Sequence, residues 1–458
     1  MACNLRTVRC SPHSGCLYPL PSPNASEKGG ELKLRANRAQ INSEAERRRA
    51  LGAVTTPPEL VDFMVSLAAP QRARVRVLEP ACGDAPFLAA FAQRYGSHHE
   101  LVGVDIDPAA VEQARRSLPS ATILEADFLL WQPSEPFDII IGNPPYGIIG
   151  DASHYPIHLL KERKHLYKQR FQTWRGKFNI YGAFIEHAVR LLRPDGKLVF
   201  VVPATWLLLD DFALLRKFLS REGRLDVYYM GRPFRDRNVV AVVLVLERGR
   251  QGLNLYDQGS KEPSVKKAVY RGELIRFETP EAIAFERGGI PLGELFKIYF
   301  AARSPEIRRH PSVVREPKEG LVPVLTGRNL RPGWIDYDTC YSGLWMPREE
   351  APSLRFFYAF PHIVVGHTKG ARVVAARDER CYPWREEFHL VPKVHGLDER
   401  QLTEYLNSEP VQWYVRTLYR DLLPHLTMTQ LRLVPVPPEL VPIKFQVRQL
   451  YLWEGDVE

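Results

Sequence analysis

The segment Asn143-Pro144-Pro145-Tyr146 carries residue types that could activate a weakly nucleophilic amino group. An exocyclic amine on a nucleobase reacts poorly because its lone pair is delocalised into the ring. Two acceptors aimed at its hydrogens would draw the nitrogen toward tetrahedral geometry and free that lone pair. The side-chain oxygen of Asn143 and the carbonyl of Pro144 are such acceptors, and the two prolines fix the backbone that holds them. Tyr146 offers a ring on which a planar group can stack.

Carboxylates stand at the ends of three successive predicted strands. Glu79 begins a turn of small residues, Asp105 ends the following strand, and Asp127 comes after the third. An acid at the end of the second strand of such a unit can accept hydrogen bonds from both hydroxyls of a ribose. A carboxylate after the third strand can accept from an adenine amino group, whose ring the neighbouring Phe128 would cover. Each acid alone suits a solvated strand end, but three in succession favour a nucleoside-containing ligand.

These residues need a framework of alternating strands and helices. Residues 180–191 repeat apolar side chains on one helical face, and Pro194-Asp195-Gly196 ends that helix. The alternation predicts an α/β fold with a mostly parallel sheet covered by helices on both faces. The apolar runs that predict its strands lie at residues 75–78, 101–104, 139–141, 198–202 and 239–246.

Composition limits the classes of protein that the chain can belong to. Hydrophobic residues make up 45% and charged residues 25% of 458 residues, which excludes a mostly disordered chain, a coiled coil and a collagen-like fibre. The longest apolar runs fall short of the ~20 residues of a membrane helix, and no signal peptide is recognised. Six cysteines favour a reducing, cytoplasmic location. The spacing of Cys10, His13 and Cys16 matches no zinc motif, and no metal is expected.

The charge balance points to a polyanionic partner. The chain has 62 Lys and Arg against 53 Asp and Glu, a formal net charge of +9. This balance favours nucleic acid, although a codon preference for arginine would produce it equally well.

The chain divides by composition into four parts. Residues 1–50 are predicted to be a disordered tail, and residues 51–250 a catalytic domain. Residues 248–264 look like a linker, because Gly, Gln, Ser and Lys become frequent there. Residues 251–440 are expected to form a second domain of mixed α and β structure, followed by a tail at 441–458.

Several of these motifs occur together in a known order. Glu79-Pro80-Ala81, Asp105, Asp127-Phe128 and Asn143-Pro144-Pro145-Tyr146 resemble, in order and spacing, the motifs of amino-methyltransferases that use S-adenosylmethionine. The chain is most similar to TaqI-type DNA adenine-N6 methyltransferases, in which target recognition follows the catalytic domain. The resemblance extends from about Val54 to about Val436. It implies a Rossmann-like methyltransferase domain, a C-terminal α+β DNA-recognition domain, and methyl transfer to adenine N6 in double-stranded DNA.

The resemblance also implies roles for individual residues. Asn143 and Pro144 would grip the target amino group, while Tyr146 and Phe234 would stack on the two faces of the extruded base. Cofactor binding would fall to Thr56, Glu79, Ala81, Asp105, Asp127, Phe128, Pro145 and Phe184.

Cations beside small hydroxyl or glycine residues in the C-terminal half suit contact with phosphates, although each alone would equally fit a solvated loop. The residues expected to contact DNA are Arg237, Arg303, Arg328, Lys369, Arg372 and Arg420.

The resemblance implies the target TCGA and a monomeric enzyme within a restriction-modification system. A cognate restriction endonuclease would be a functional rather than a physical partner. Two alternatives stay open: a methyltransferase acting on amino groups of RNA or of protein glutamine, and a DNA-specificity subunit without catalysis. Methylation of cytosine carbon is disfavoured, because no cysteine follows the Pro-Pro-Tyr turn to act as its nucleophile.

Overall fold

The structure is a computed structural model that describes residues 50–150, 156–157, 160–235, 237–367, 369–370 and 372–442. The tails predicted at 1–50 and 441–458 lie outside these residues, apart from residues 50, 441 and 442.

A nine-stranded sheet forms the centre of the N-terminal half. The first eleven strands are β1 (Arg76–Pro80), β2 (Glu100–Asp105), β3 (Thr122–Glu125), β4 (Phe137–Gly142), β5 (Ile148–Ile149), β6 (Pro156–Ile157), β7 (Leu192–Pro203), β8 (Gly223–Tyr229), β9 (Ala241–Arg248), β10 (Leu253–Tyr256) and β11 (Pro263–Lys267). The large sheet has the order β11-β10-β8-β9-β7-β4-β1-β2-β3, while β5 and β6 pair separately. Within this order the adjacent strands β3, β2, β1, β4 and β7 run parallel to one another, whereas β9 is antiparallel to both β7 and β8. The predicted mostly parallel sheet is confirmed.

Helices connect these strands. They are α1 (Pro58–Leu67), α2 (Pro86–Tyr95), α3 (Pro108–Ser117), α4 (Lys164–Arg170), α5 (Ile180–Leu191) and α6 (Ala213–Glu222). The first three begin with proline, whose fixed φ suits the first helical turn. From β1 the chain passes through α2 to β2 on one side, while β4 lies on the other side of β1. This reversal of strand order opens a crevice at the carboxyl ends of the strands, where ligands bind in such sheets.

Two elements differ from their prediction. Helix α5 is buried nearly all round, and its polar Glu186 is tolerated because it accepts hydrogen bonds from the amides of Thr173 (2.9 Å) and Gln172 (3.2 Å). The linker predicted at 248–264 instead supplies β10 and joins the sheet. Leu253 and Leu255 are buried there in an alternating pattern that the polar composition concealed.

The C-terminal half is α+β, as predicted. Its elements are α7 (Pro280–Arg287), β12 (Ile290–Pro291), α8 (Leu292–Leu295), β13 (Phe296–Phe300), α9 (Ser304–Arg309), β14 (Leu321–Pro323), β15 (Leu330–Arg331), β16 (Trp334–Ile335), β17 (Trp345–Pro347), α10 (Ala351–Leu354), β18 (His362–Val365), β19 (Ala375–Asp378), β20 (Phe388–Pro392), α11 (Glu399–Asn407), α12 (Glu409–Tyr419), α13 (Met428–Arg432) and β21 (Pro435–Val436). Its largest sheet is antiparallel, in the order β13-β20-β18-β19.

One apolar core joins the two halves. Buried residues of the central sheet belong to the same cluster as Leu402, Val415 and Leu431 of the C-terminal helices. Smaller clusters around Trp384 and Met346 lie within the C-terminal half. Among the described helices, none combines the length and apolarity that crossing a membrane requires.

Candidate active site

The turn after β1 brings main-chain groups close to the crevice. Ala81 (φ 51°) and Ala85 (φ 61°) adopt left-handed backbone, which costs free energy for residues with a Cβ and is typical of functional sites. Cys82 holds the turn in place, donating its amide hydrogen to the carbonyl of Val104 at 3.1 Å. Helix α2 starts immediately afterwards.

The carboxylate of Glu79 lies under the start of α2. It accepts hydrogen bonds from the amides of Leu88 (2.9 Å) and Phe87 (3.5 Å) and is 2% exposed. Burial raises the pKa of Glu79 well above its ordinary value, despite these two hydrogen bonds. Such a carboxylate gains from a cationic ligand group that would compensate its charge.

Asp105 occupies the carboxyl end of β2. One of its oxygens accepts the amide hydrogen of Gly83, and the other accepts that of Asp107, both at 2.8 Å. These bonds fix the carboxylate beside the turn after β1, within the crevice where the sequence predicts a ribose site.

Asp127 is held by two side chains that the sequence analysis did not identify. One oxygen accepts hydrogen bonds from Arg163 and from the hydroxyl of Tyr167, each at 2.7 Å, while the other accepts the amide hydrogen of Leu129 at 3.1 Å. Arg163 lies just before α4 and Tyr167 within it, 36 and 40 positions after Asp127, so no local pattern could reveal them.

The ring of Phe128 packs against that of Phe184 from α5. Their centroids are 5.0 Å apart with 31° between the planes, and both side chains are buried. The two aromatic residues predicted to contact the cofactor are therefore brought together.

The amide of Asn143 is oriented from one side only. Its Nδ2 donates to the carbonyl of Val54 (3.1 Å) and to Oγ1 of Thr56 (3.0 Å). Its Oδ1 is buried and has no hydrogen-bond partner within the described part of the chain. An unpaired buried acceptor is costly, and it is the atom that the sequence predicts as an acceptor for an amino group.

The rings of Tyr146 and Phe234, predicted to stack on the two faces of a base, instead contact each other edge to face. Their ring centroids are 5.8 Å apart at 71°, and the residues are 3% and 5% exposed. A base stacked between two rings needs about 7 Å between them. The open slot expected from the sequence is thus closed here, and a base could enter only after the rings separate.

The residues expected to contact DNA have different environments. Arg303, Arg328 and Arg372 are exposed, whereas Arg237 is half-buried on the β8–β9 connection that carries Phe234. The half-buried Lys369 has a lowered pKa because of burial and the nearby charge of Arg331.

Arg420 instead contacts other parts of the protein. It pairs with Asp257, and its guanidinium lies 3.4 Å from the ring centroid of Phe277. These contacts link the end of α12 to the turn between β10 and β11 and to Phe277, which follows the central sheet.

The residues at the carboxyl edge of the central sheet suit a ligand that combines a nucleoside with an amino acid. The buried Glu79, the anchored Asp105 and the paired Phe128 and Phe184 fit its cationic, ribose and planar parts. Among the described residues, no group of three or more His, Cys, Asp or Glu could hold a metal ion.

Comparison with known families gives three matches. A TaqI-like C-terminal specificity domain matches residues 322–436, an Eco57I restriction-modification methylase matches 121–230, and a methyltransferase domain matches 77–154.

Individual relatives agree with these matches. The type II methyltransferase M.TthHB8I of Thermus thermophilus is 58% identical over 84% of this chain and 91% of its own length. M.PaeR7I of Pseudomonas aeruginosa is 28% identical over 44% of this chain and 41% of its own. The tRNA1(Val) (adenine(37)-N6)-methyltransferase of Vibrio cholerae is 32% identical over 28% of this chain and 50% of its own.

The fold and the family matches define a methyltransferase that depends on S-adenosylmethionine. More closely, the chain belongs to the type II DNA methyltransferases of restriction-modification systems, with a TaqI-like specificity domain C-terminal to its methyltransferase fold.

Proposed function

We propose that the protein methylates adenine N6 in double-stranded DNA, in the sequence TCGA, after extruding the base from the helix. The observation that carries the proposal is the buried Oδ1 of Asn143, which has no partner among the described residues. A base amino group would satisfy this atom.

Asn143 and the carbonyl of Pro144 would accept the two hydrogens of the amine. Because Val54 and Thr56 occupy the Nδ2 side, the amide cannot turn without losing two hydrogen bonds. Acceptors fixed in advance need little reorganisation as positive charge develops on the attacking nitrogen. The Vibrio cholerae relative, whose name gives adenine N6 as its target, supports adenine over cytosine.

S-adenosylmethionine would supply the electrophilic methyl group when bound. Glu79 and Ala81 would hold its methionine part, Asp105 its ribose, and Asp127 with Phe128 its adenine. Thr56, Pro145 and Phe184 would complete this site.

Asn143 and Pro144 would position N6 so that its lone pair faces the methyl group that the cofactor would supply. Methyl transfer would leave the electrons of the broken bond with the cofactor's sulfur and would release one N6 proton. Amide oxygens are too weakly basic to keep this proton, so it would pass to solvent. No covalent bond to the protein is needed.

Base extrusion costs a few kcal/mol, which contacts along the duplex would offset. We propose that the methyltransferase fold, with β10 and β11 included, carries catalysis and that the chain after it grips the DNA through Arg303, Arg328, Lys369 and Arg372, with Arg237 beside the target. Arg420, which pairs with Asp257, would not be one of these contacts. Tyr146 and Phe234 would separate to admit the base between them.

Product analysis tests the proposal. Duplexes containing TCGA and matched duplexes with the inverted core AGCT would be incubated with methyl-labelled S-adenosylmethionine, digested to nucleosides and separated. We expect labelled N6-methyladenine from the TCGA duplex only, and none with Asn143→Ala. Labelled N4-methylcytosine, or preferential labelling of RNA or of a release-factor protein offered in parallel, would contradict the proposal.

A further inference from the structure

Residues 161–177 form a strongly basic segment close to the Asn-Pro-Pro-Tyr motif. Its charged residues are the cations Lys161, Arg163, Lys164, Lys168, Arg170, Arg175 and Lys177 and the single acid Glu162. The segment comprises a short turn, helix α4 and the connection to α5. None of the residues that the sequence predicts to contact DNA lies in this segment.

A cavity of about 260 Å³ opens within this segment. It is lined by Ile148, Gly150, Lys164, Trp174, Gly176, Lys177 and Phe178. Its first lining residue comes two positions after Tyr146. The backbone between them is tied to α5, since Gly147 donates to Oδ1 of Asn179 (2.9 Å) and accepts from the amide of Ile180 (2.9 Å).

Trp174, one of the residues that line this cavity, carries a buried indole donor. Its Nε1 is buried and has no hydrogen-bond partner among the residues that the structure describes. The ring is fixed between Tyr167, whose centroid is 6.3 Å away, and Phe178, at 5.3 Å. A donor held rigidly without an acceptor points to a ligand that supplies one.

The charges around the cavity favour an anion. Lys164 is anchored through a hydrogen bond from its Nζ to the carbonyl of Ile149 at 2.5 Å, so its charge stays at the cavity. Asp211 lies behind Gly176 and accepts a hydrogen bond from the backbone of Lys177. Within the described residues, Asp211 and the neighbouring Asp210 stand against three cations, Lys164, Arg175 and Lys177.

We propose that this cavity binds a backbone phosphate of the DNA next to the extruded nucleotide; the inference rests on the proposed function. A nucleotide that enters the site at Asn143 brings its flanking phosphates to the catalytic domain. Lysine side chains and an indole N–H are suitable donors to phosphate oxygens, because charge-assisted hydrogen bonds are the stronger kind. The cavity would hold the backbone while the base occupies the active site.

Two variants of the full chain test the inference. Lys177→Gln removes one charge from an exposed side chain, and Trp174→Phe removes the N–H while keeping the aromatic packing. For each we expect a KM for TCGA duplex raised about tenfold, with kcat at saturating DNA within twofold of the parent. Lys177→Gln should also reduce the slope of log Kobs against log salt concentration by about 0.9.

Lys261→Gln is the matched control, since it makes the same change on an exposed turn between β10 and β11. It should leave KM near that of the parent. Duplexes with a neutral methylphosphonate at each phosphate flanking the target adenine complete the design. One such position should weaken binding by the parent, and the loss should largely disappear in Lys177→Gln, because the two changes remove the same contact.

Parental KM and salt slope in both variants, or a methylphosphonate effect that persists in full in Lys177→Gln, would overturn the inference. Failure of the proposed function is distinct, because the parent itself would then form no N6-methyladenine in the TCGA duplex.

Discussion

At the scale of single residues, the orientation of the Asn143 side-chain amide determines whether its donor or its acceptor end is available to a substrate. Asn143 has a donor end and an acceptor end, and the protein fixes which end faces the substrate by providing two acceptors for Nδ2. The acceptor end is buried and has no partner among the residues that the structure describes. Under the proposed function, a bound amino group would satisfy this atom and so recover free energy that folding loses there.

Thr56→Val tests this orientation, because valine has the same shape as threonine but offers no acceptor to Nδ2 of Asn143. We expect kcat to fall about fivefold to tenfold with little change in the KM for DNA. Thr56→Ser, which retains the hydroxyl, should restore most of the rate. Unchanged kcat in Thr56→Val would show that Val54 alone orients the amide.

Glu79→Gln should separate cofactor affinity from stability. Burial raises the pKa of Glu79, so the fold favours the protonated acid. This contribution to stability is present at low pH and is lost as the pH rises through the raised pKa. Without cofactor, the variant should therefore melt at a higher temperature than the parent, and the difference should grow with pH.

The same variant should bind S-adenosylmethionine more weakly, because the charge that would attract its ammonium group is gone. Thermal denaturation across pH and isothermal titration measure the two effects. A melting-temperature difference that shrinks as the pH rises would contradict the argument.

The sequence identified those site residues whose position follows from the neighbouring strands. The acids Glu79, Asp105 and Asp127 were recognisable because each lies at or just after the carboxyl end of a strand, and these ends meet in a parallel sheet. Arg163 lies just before α4 and Tyr167 within it, and only the folded chain shows that they hold Asp127.

At the scale of elements, the segment before α1 and the Asn-Pro-Pro-Tyr loop stabilise one another. The amide of Tyr146 donates to the carbonyl of Gly52 at 3.0 Å, and Asn143 donates to that of Val54. The segment preceding α1 therefore contacts both the acceptor and the stacking residue of the motif. Movement at this segment would disturb the two together.

Gly52→Ala should disrupt this contact. Gly52 has a φ of +76°, and a Cβ there would lie 2.5 Å from the carbonyl oxygen of Tyr146. Gly259 is a matched control, since its φ is +75° and nothing lies within 4 Å of an added Cβ. Gly259→Ala should cost about 1 kcal/mol of unfolding free energy, from the backbone alone.

Gly52→Ala should lower the unfolding free energy by more than Gly259→Ala does, and should also reduce the single-turnover rate of methylation. Chemical denaturation and rapid-quench kinetics provide the measurements. Equal effects of the two substitutions would show that the segment adapts without disturbing Tyr146.

Elements with strong periodicity were predictable, and weakly apolar ones were not. Runs such as residues 239–246 became strands because continuous β-branched residues suit a strand buried on both faces. β10 was taken for part of a linker because its buried leucines alternate with polar residues within a polar stretch. Its partner β8 lies distant in the sequence, and pairing with β8 gives it its structure.

At the scale of the whole molecule, the strand order shows that the central sheet is complete only with β10 and β11. β10 runs parallel to β8, with Leu253 opposite Leu225 and Leu255 opposite Val227. Tyr228 and Tyr256 stack across the same pair, with centroids 4.3 Å apart. A boundary at residue 250 would separate these strands and leave β8 at the edge of the sheet.

Truncation measures how much the sheet depends on these strands. A fragment of residues 50–278 keeps β10, β11 and the hydrogen bond from the amide of Ile275 to the carbonyl of Leu207 (3.1 Å), whereas residues 50–250 lose all three. Both fragments lack the C-terminal helices and expose the same core surface there. We expect the longer fragment to melt several degrees higher and to retain binding of S-adenosylmethionine, because apolar area buried on β8 stabilises the sheet. Equal melting temperatures by differential scanning calorimetry would instead place the edge of the stable sheet at β8.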